Sequence, residues 1–203
     1  MTPLEVVVVI VSNDRAVVEA DLAAGRLLCP CCGGVLGGWG CARLRQVRTH
    51  AGVRWLRPRR GRCRERGCGA THVLLPDVCL ARRCYLVEVI GEALLSAGRE
   101  GYRRAGERLG VPGETVREWR QRFRSRVEVI AAHFLRWAWA FDGSLDLPAG
   151  QGSLVADALE AIGVCTRVAS LVLGFRAPWS WVSALTGGGL LAVNTRSPWP
   201  APE

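Results

Sequence analysis

The spacing of apolar positions changes several times along the chain and divides it into segments. Val6 to Val11 is an unbroken apolar run of strand length. Asp14, just behind it, is placed to cap a short helix over residues 14–28. Over residues 43–49 and 53–60, apolar positions (Leu44, Val47, Val53, Trp55, Leu56) are interleaved with arginines. This predicts two extended stretches joined through His50-Ala51-Gly52, with a bulge near Gln46 where the alternation slips. Residues 71–75 predict a third strand completing the same small sheet, stopped by Pro76.

Beyond Arg82 the period becomes helical. Leu86, Val87, Ile90, Leu94 and Leu95 recur at three- and four-residue steps and predict a helix over 84–97, ending before Gly98. Residues 101–119 carry the spacing of a helix-turn-helix. Gly106 stands where the helices touch, Gly110 at the turn and β-branched Val116 in the core, with Leu109 and Val111 flanking the turn. Pro112 suits the first turn of the second helix. In that helix Val116, Trp119, Phe123 and Val127 form one apolar stripe, predicting a long element running on to Phe141. Glu114, Arg117, Glu118, Gln121 and Ser125 fall on the opposite face. From Val127 to Phe141 nearly every face is apolar, which predicts full burial. After a loop over 142–152, a helix is expected over 153–174, with Leu154, Leu159, Ile162, Val168 and Leu171 as its apolar positions. A short element over 178–185 precedes Gly187-Gly188-Gly189 and a Pro/Trp-rich tail.

The chain has nine cysteines, and five of them lie in two knuckles. Cys29-Pro30-Cys31-Cys32-Gly33 and Cys63-Arg64-Glu65-Arg66-Gly67-Cys68-Gly69 each end on a glycine able to take positive φ. Two such pairs, with room for a hairpin between them, predict a tetrahedral Zn²⁺ site of zinc-ribbon type on Cys29, Cys32, Cys63 and Cys68. Cys31, Cys41, His50 and His72 are also within reach, and Cys31, Cys41 or His72 is able to substitute for one of the four. His72 reads first as the start of a strand. Cys79, Cys84 and Cys165 read as small buried hydrophobes. A ribbon of this size has little core, so zinc is expected to supply much of its folding free energy.

Location weighs in the same direction. No basic residue precedes the first apolar run, no small-residue cleavage site follows it, and it is too short to span a bilayer. The expectation is a cytoplasmic protein without a membrane segment, in a reducing compartment where metal is favoured over disulfides.

Charge is concentrated. All 27 basic residues are arginine, against 18 acids. Residues 43–126 hold 21 of the arginines and 8 of the acids, a local surplus of 13. Such a block predicts a surface facing phosphates. Arg117, Gln121 and Glu114 are the candidates for base edges in the major groove of double-stranded DNA. Thr115 lies beside them, and Arg103, Arg104, Arg108, Arg122 and Arg124 are the candidate phosphate contacts.

Strand-transfer catalysis needs carboxylates holding two metal ions on a sheet. Asp142, Asp146, Asp157 and Glu160 fall in a loop and a helix, and the 77 residues after Arg126 are few for such a fold. No enzyme and no catalytic residues are expected.

Cys-Pro-x-Cys-Gly-Gly, Thr71-His72-Val73-Leu74-Leu75-Pro76, the helix-turn-helix spacing and Leu185-Thr186-Gly187-Gly188-Gly189-Leu190-Leu191 together resemble an uncharacterised, transposase-like family of high-GC bacteria. The resemblance spans roughly residues 27–195. It implies a domain-of-unknown-function family combining a zinc ribbon with DNA-binding helices. The family's second knuckle matches Cys63 and Cys68, while Cys31 departs from its commoner pattern.

The sequence thus predicts an α+β, mostly α protein in four parts. These are a strand and helix over 1–27, a zinc ribbon over 28–78, a helix-turn-helix with a long last helix over 79–141, and a helical region with tail over 142–203. The expected function is DNA binding as a transposase-related accessory or regulatory factor. Its partners would be duplex DNA, a second copy of the chain and a separately encoded transposase. The alternative is a protein-interaction adaptor using the ribbon and the apolar C-terminal helices.

Overall fold

The computed structural model describes residues 8–146, 150–192, 199 and 202. Val6 and Val7 of the first apolar run, and most of the Pro/Trp-rich tail, lie outside them. The class is α+β: two small sheets occupy the N-terminal part and helices the rest.

The larger sheet has the order β1-β6-β5-β2, with β1 Val8–Val11, β2 Leu36–Cys41, β5 Arg59–Cys63 and β6 Thr71–Pro76. β1 runs parallel to β6 (Val8 opposite Val73), and β5 is antiparallel to both β6 and β2. Helix α1, Arg15–Ala23, is capped by the Asp14 carboxylate accepting from the Ala16 N–H at 2.8 Å. It ends five residues short of the expected Leu28, at a turn where Gly25 takes φ +69°. Val11, Val18, Leu22, Leu36 and Leu74 close over the sheet as one buried cluster that includes Cys29 and Cys63. The ribbon region therefore has more core than its own residues supply, because β1 and α1 contribute to it.

The arginine-rich hairpin is a separate two-stranded sheet, β3 Arg45–Thr49 with β4 Gly52–Leu56. Its register runs unbroken from Arg45 opposite Leu56 to Thr49 opposite Gly52, so there is no bulge at Gln46. The irregularity lies instead in β2, between Gly38 and Cys41. Thr71–Pro76 does not extend the hairpin as expected; it pairs with β5 and β1.

Three helices follow: α2 Val87–Ala97, α3 Tyr102–Leu109 and α4 Gly113–Arg124. α2 starts later than residue 84. The segment before it turns through Arg82 at φ +58° and is held in a bridge to the hairpin. α3 ends on Gly110 in the left-handed region (φ +64°), and Pro112 sits at the N-cap of α4 instead of inside its first turn. A Cβ on Gly106 would lie 2.5 Å from the Val111 carbonyl oxygen, so only glycine lets α3 come this close to the start of α4. Leu94, Ala105, Leu109, Val111, Val116, Trp119 and Phe123 are buried in one common core.

The expected long helix is broken. α4 stops at Arg124, and α5, Val127–Phe141, begins after Arg126 at φ −135°. α5 buries only one face, through Val127, Ile130, His133, Phe134 and Ala138, and leaves Val129 and Trp139 about half exposed. α6, Leu154–Leu173, packs along it between the Ser153 N-cap and Gly174. The buried residues of α6 are Ala158, Ala161, Ile162, Cys165, Thr166, Val168 and Ala169; Ile162 and Val168 are inside as expected, whereas Leu154 and Leu171 are exposed. α7, Pro178–Leu185, returns to the N-terminal half. There the Ser183 hydroxyl donates to the Cys79 carbonyl at 2.6 Å, and Arg176 pairs with buried Asp77 at 3.2 Å. Among the described residues no single helix is long and apolar enough to cross a membrane.

Candidate metal centre and arginine face

Backbone hydrogen bonds build each cysteine knuckle at the same end of the sheet. In the first, the Cys29 N–H donates to the Gly34 carbonyl at 2.7 Å, and the Gly33 N–H returns to the Cys29 carbonyl at 2.8 Å. Gly33 takes φ +74°, the conformation anticipated for the residue after the second cysteine. In the second, the Cys63 N–H donates to the Ala70 carbonyl at 2.9 Å, and Gly69 has φ +57°. β2 and β5 place Leu36 opposite Cys63, so the turns leaving these strands are neighbours.

The four predicted sulfurs meet. Cys32 and Cys63 Sγ are 3.4 Å apart, Cys29 and Cys68 Sγ 3.8 Å, and all four lie within 4.8 Å of one another. Sulfurs about 2.3 Å from a tetrahedral ion stand about 3.8 Å apart, so the cluster has the dimensions of a four-thiolate metal site. None of the nine cysteines is disulfide-bonded.

The crowded thiols compete for ionisation. Burial acts to raise the Cys29 thiol, but the Cys31 backbone, the His72 ring and the Cys32 backbone outweigh it, and Cys29 ionises at about 6. Cys32 receives a backbone hydrogen bond from Gly34 that favours its thiolate, yet the neighbouring Cys63 and Cys68 push it up to about 12. Cys63 and Cys31 are raised, each chiefly by desolvation. One thiolate forms readily and the next are opposed, a conflict that a bound divalent ion removes.

His72 is on β6, as expected, and it also reaches the cluster. Its Nε2 lies 3.3 Å from Cys29 Sγ and 4.0 Å from Cys31 Sγ. Cys29, Cys31 and His72 thus form a second group within ligand distance of one another. Cys41 Sγ is 3.8 Å from an Arg59 guanidinium nitrogen, and His50 faces Glu92 at 3.4 Å. Cys79 and Cys165 are buried as expected, and desolvation raises them to about 11 and about 12. Cys84 is exposed, because the chain turns outward before α2 begins.

On α4, Val116, Trp119 and Phe123 face the core while Glu114, Arg117, Gln121 and Arg124 are exposed; Thr115 is half-buried at the helix start. Arg117 pairs with Glu114 at 2.7 Å, both side chains being more than 60 % exposed. An exposed i,i+3 pair is worth little and exchanges readily for another anion. Arg122, expected as a phosphate contact, is engaged by Glu118 one turn back. Arg103 and Arg104 on α3 are exposed.

Arg108 departs from expectation. Its guanidinium donates to Glu92 at 2.6 Å, to Glu100 at 3.0 Å and to the Ser96 hydroxyl. It fastens α3 to α2, and its charge is already matched by two carboxylates.

The position of the hairpin is set by contacts distant in sequence. The Arg48 N–H donates to the Cys84 carbonyl at 2.7 Å, and the Leu86 N–H donates to the Arg48 carbonyl at 3.0 Å. The Arg48 guanidinium lies over the Tyr85 ring, and Tyr85 packs edge-on to Trp119 of α4. Arg48, Arg103, Glu107 and residues 110–113 line an open groove of about 430 Å³.

An α+β chain with a four-cysteine cluster beside an arginine-rich set of three packed helices is the class that fold and site define. Residues 29–122 match the family described as Domain of unknown function (DUF6431), from the first cysteine of the cluster into α4. No curated protein and no solved structure matches the chain.

Proposed function

We propose that this protein is a zinc-containing helix-turn-helix DNA-binding protein, a transposase-related accessory or regulatory factor without a catalytic domain of its own. Zinc, on Cys29, Cys32, Cys63 and Cys68, is the ion best suited to four thiolates in a tetrahedron. α3 and α4 form the helix-turn-helix, with α4 as the recognition helix in the major groove. The observation that carries the reading is the division of α4: Val116, Trp119 and Phe123 are buried, and the face away from them presents Glu114, Arg117, Gln121 and Arg124. Those side chains suit cytosine, guanine, adenine and phosphate respectively.

The experiment selects bound sequences from a random duplex pool with zinc-loaded protein, then measures Arg117→Ala on the preferred site and on a scrambled duplex. The loss expected on the preferred site is about 1–3 kcal/mol, with relaxed preference at one base pair and a smaller loss on the scrambled duplex. Equal losses on both would mean that α4 does not read sequence.

One observation favours a second reading, that of a protein-interaction adaptor. Leu171, Val172, Leu173 and Phe175 at the end of α6 are exposed, Phe175 at 93 %. Such a patch fits a second copy of this chain or another protein. Association through it would persist at high salt, whereas phosphate-driven binding would not.

A further inference from the structure

The β3–β4 hairpin is not hydrogen-bonded into the larger sheet; its inner face packs on Leu75 of β6, and Arg48 is hydrogen-bonded to the segment that leads into α2. Its register sorts its side chains by face. Gln46 stands opposite Trp55 and Arg48 opposite Val53, so these four share one face. Val47 stands opposite Arg54 on the other face, where Val47 is fully buried with Leu56, Leu75 and Cys79. The first face points to solvent: Val53 and Trp55 are 57 % and 56 % exposed, and Arg48 is exposed. The alternation continues past the strand end, with Leu56 buried, Arg57 exposed and Pro58 buried.

We infer that this outer face of the hairpin is a second duplex contact, gripping the DNA backbone beside the segment under α4. The inference rests on the DNA-binding reading above and extends it to a surface outside the helix-turn-helix. Three observations carry it. The face is anchored: backbone hydrogen bonds at Arg48 tie it to Cys84 and Leu86, Arg45 donates to the Arg83 carbonyl, and Tyr85 of that same segment packs on Trp119 of α4. It is continuous with the helices, since Arg48 shares the groove with Arg103 and the turn before α4. Its chemistry suits a nucleic acid: two arginines for phosphates, and an indole and an isopropyl group at the same level for sugar edges. A buried protein interface, by contrast, is depleted of charge at its centre.

The test uses the full zinc-loaded chain and a labelled duplex of about 30 base pairs, titrated by anisotropy over a salt series. Arg57→Ala and Trp55→Ala alter exposed side chains and are expected to keep zinc content and melting behaviour. Arg57→Ala should lower the slope of log K against log salt by about one unit. Trp55→Ala should weaken binding several-fold on preferred and scrambled duplexes alike, and both variants should lose hydroxyl-radical protection on one flank of the footprint. Arg54→Ala removes the same charge from the other face and should leave slope and footprint close to wild type. Equal effects of Arg54→Ala and Arg57→Ala would overturn the inference, since bulk charge would then explain both. So would a Trp55→Ala loss confined to single-stranded DNA, which would make the indole a stacking platform for unpaired bases. If the wild-type chain binds duplex and Arg117→Ala relaxes its specificity while all hairpin variants match wild type, only the hairpin contact fails. If the wild-type chain binds no duplex at low salt, the DNA-binding reading fails.

Discussion

Gly106 and His133 show how single residues set the fold and its response to pH. A methyl group at position 106 would press on the Val111 carbonyl oxygen at 2.5 Å and on the Gly113 backbone at 3.2 Å. Neither is the end of a flexible side chain. Gly106→Ala is therefore expected to force α3 and α4 apart at a cost of about 1–3 kcal/mol, read from the shift in urea midpoint at unchanged slope. His133 lies buried under α7, donating Nε2–H to the Leu185 carbonyl at 2.9 Å and packed edge-on to Phe134 and Trp199. Burial pushes its imidazole below the ordinary value of 6.5. The unfolded chain therefore takes up the proton first, and stability falls as pH drops through about 6.5 toward the lower folded value. His133→Gln keeps an N–H donor and removes the titration. Its melting temperature should vary less than wild type between pH 7 and pH 5; an unchanged pH profile would contradict this account.

Among the elements, those defined by local chemistry were legible and those defined by distant partners were not. α6 runs between the Ser153 cap and Gly174, as its sequence predicts, because caps and helical period are local properties. α7 and the buried stripe of α4 were equally legible. The four cysteines were too, since turn glycines at fixed offsets leave little freedom in where the sulfurs go. β2 was not legible: Gly37, Gly38 and Gly40 leave no alternating pattern, and the strand exists because β5 pairs with it. The parallel pairing of β1 with β6 joins Val8 to Val73, far beyond what a sequence window captures. The bulge expected at Gln46 arose because Val53 and Trp55 are apolar yet face outward, which blurs the alternation of a hairpin whose register is regular. The break before α5 was hidden because Val127 continues the apolar spacing across it.

At the scale of the whole molecule, Cys29 and Cys63 belong to the same buried cluster as Val11, Val18 and Leu22. Loss of the metal is therefore expected to unfold β1 and α1 together with the ribbon, while α2 to α7 keep their own larger core. Elemental analysis should find one zinc per chain in protein purified without chelator. Cys63→Ser/Cys68→Ser should bind none and show hydrogen exchange over residues 8–76 at unfolded rates; full zinc occupancy in that variant would refute the ligand set. The surplus of arginine over acid across residues 43–126 lies on the hairpin, the ribbon strands and the three-helix unit, and the self-paired Arg108 shows that not every arginine in it is available to a ligand.

We propose that this block meets nucleic acid phosphates, and a salt series on duplex DNA tests that contact most directly. Anisotropy titrations of the zinc-loaded chain should give a log K that falls linearly and steeply with log salt, each phosphate contact adding about 0.9 to the slope. Arg104→Ala, on the exposed side of α3, should lower that slope by about one unit. Arg108→Ala should leave it unchanged while lowering the melting temperature, because its partners are Glu92 and Glu100. Duplex binding that does not vary with salt, or none at low salt, would contradict the account.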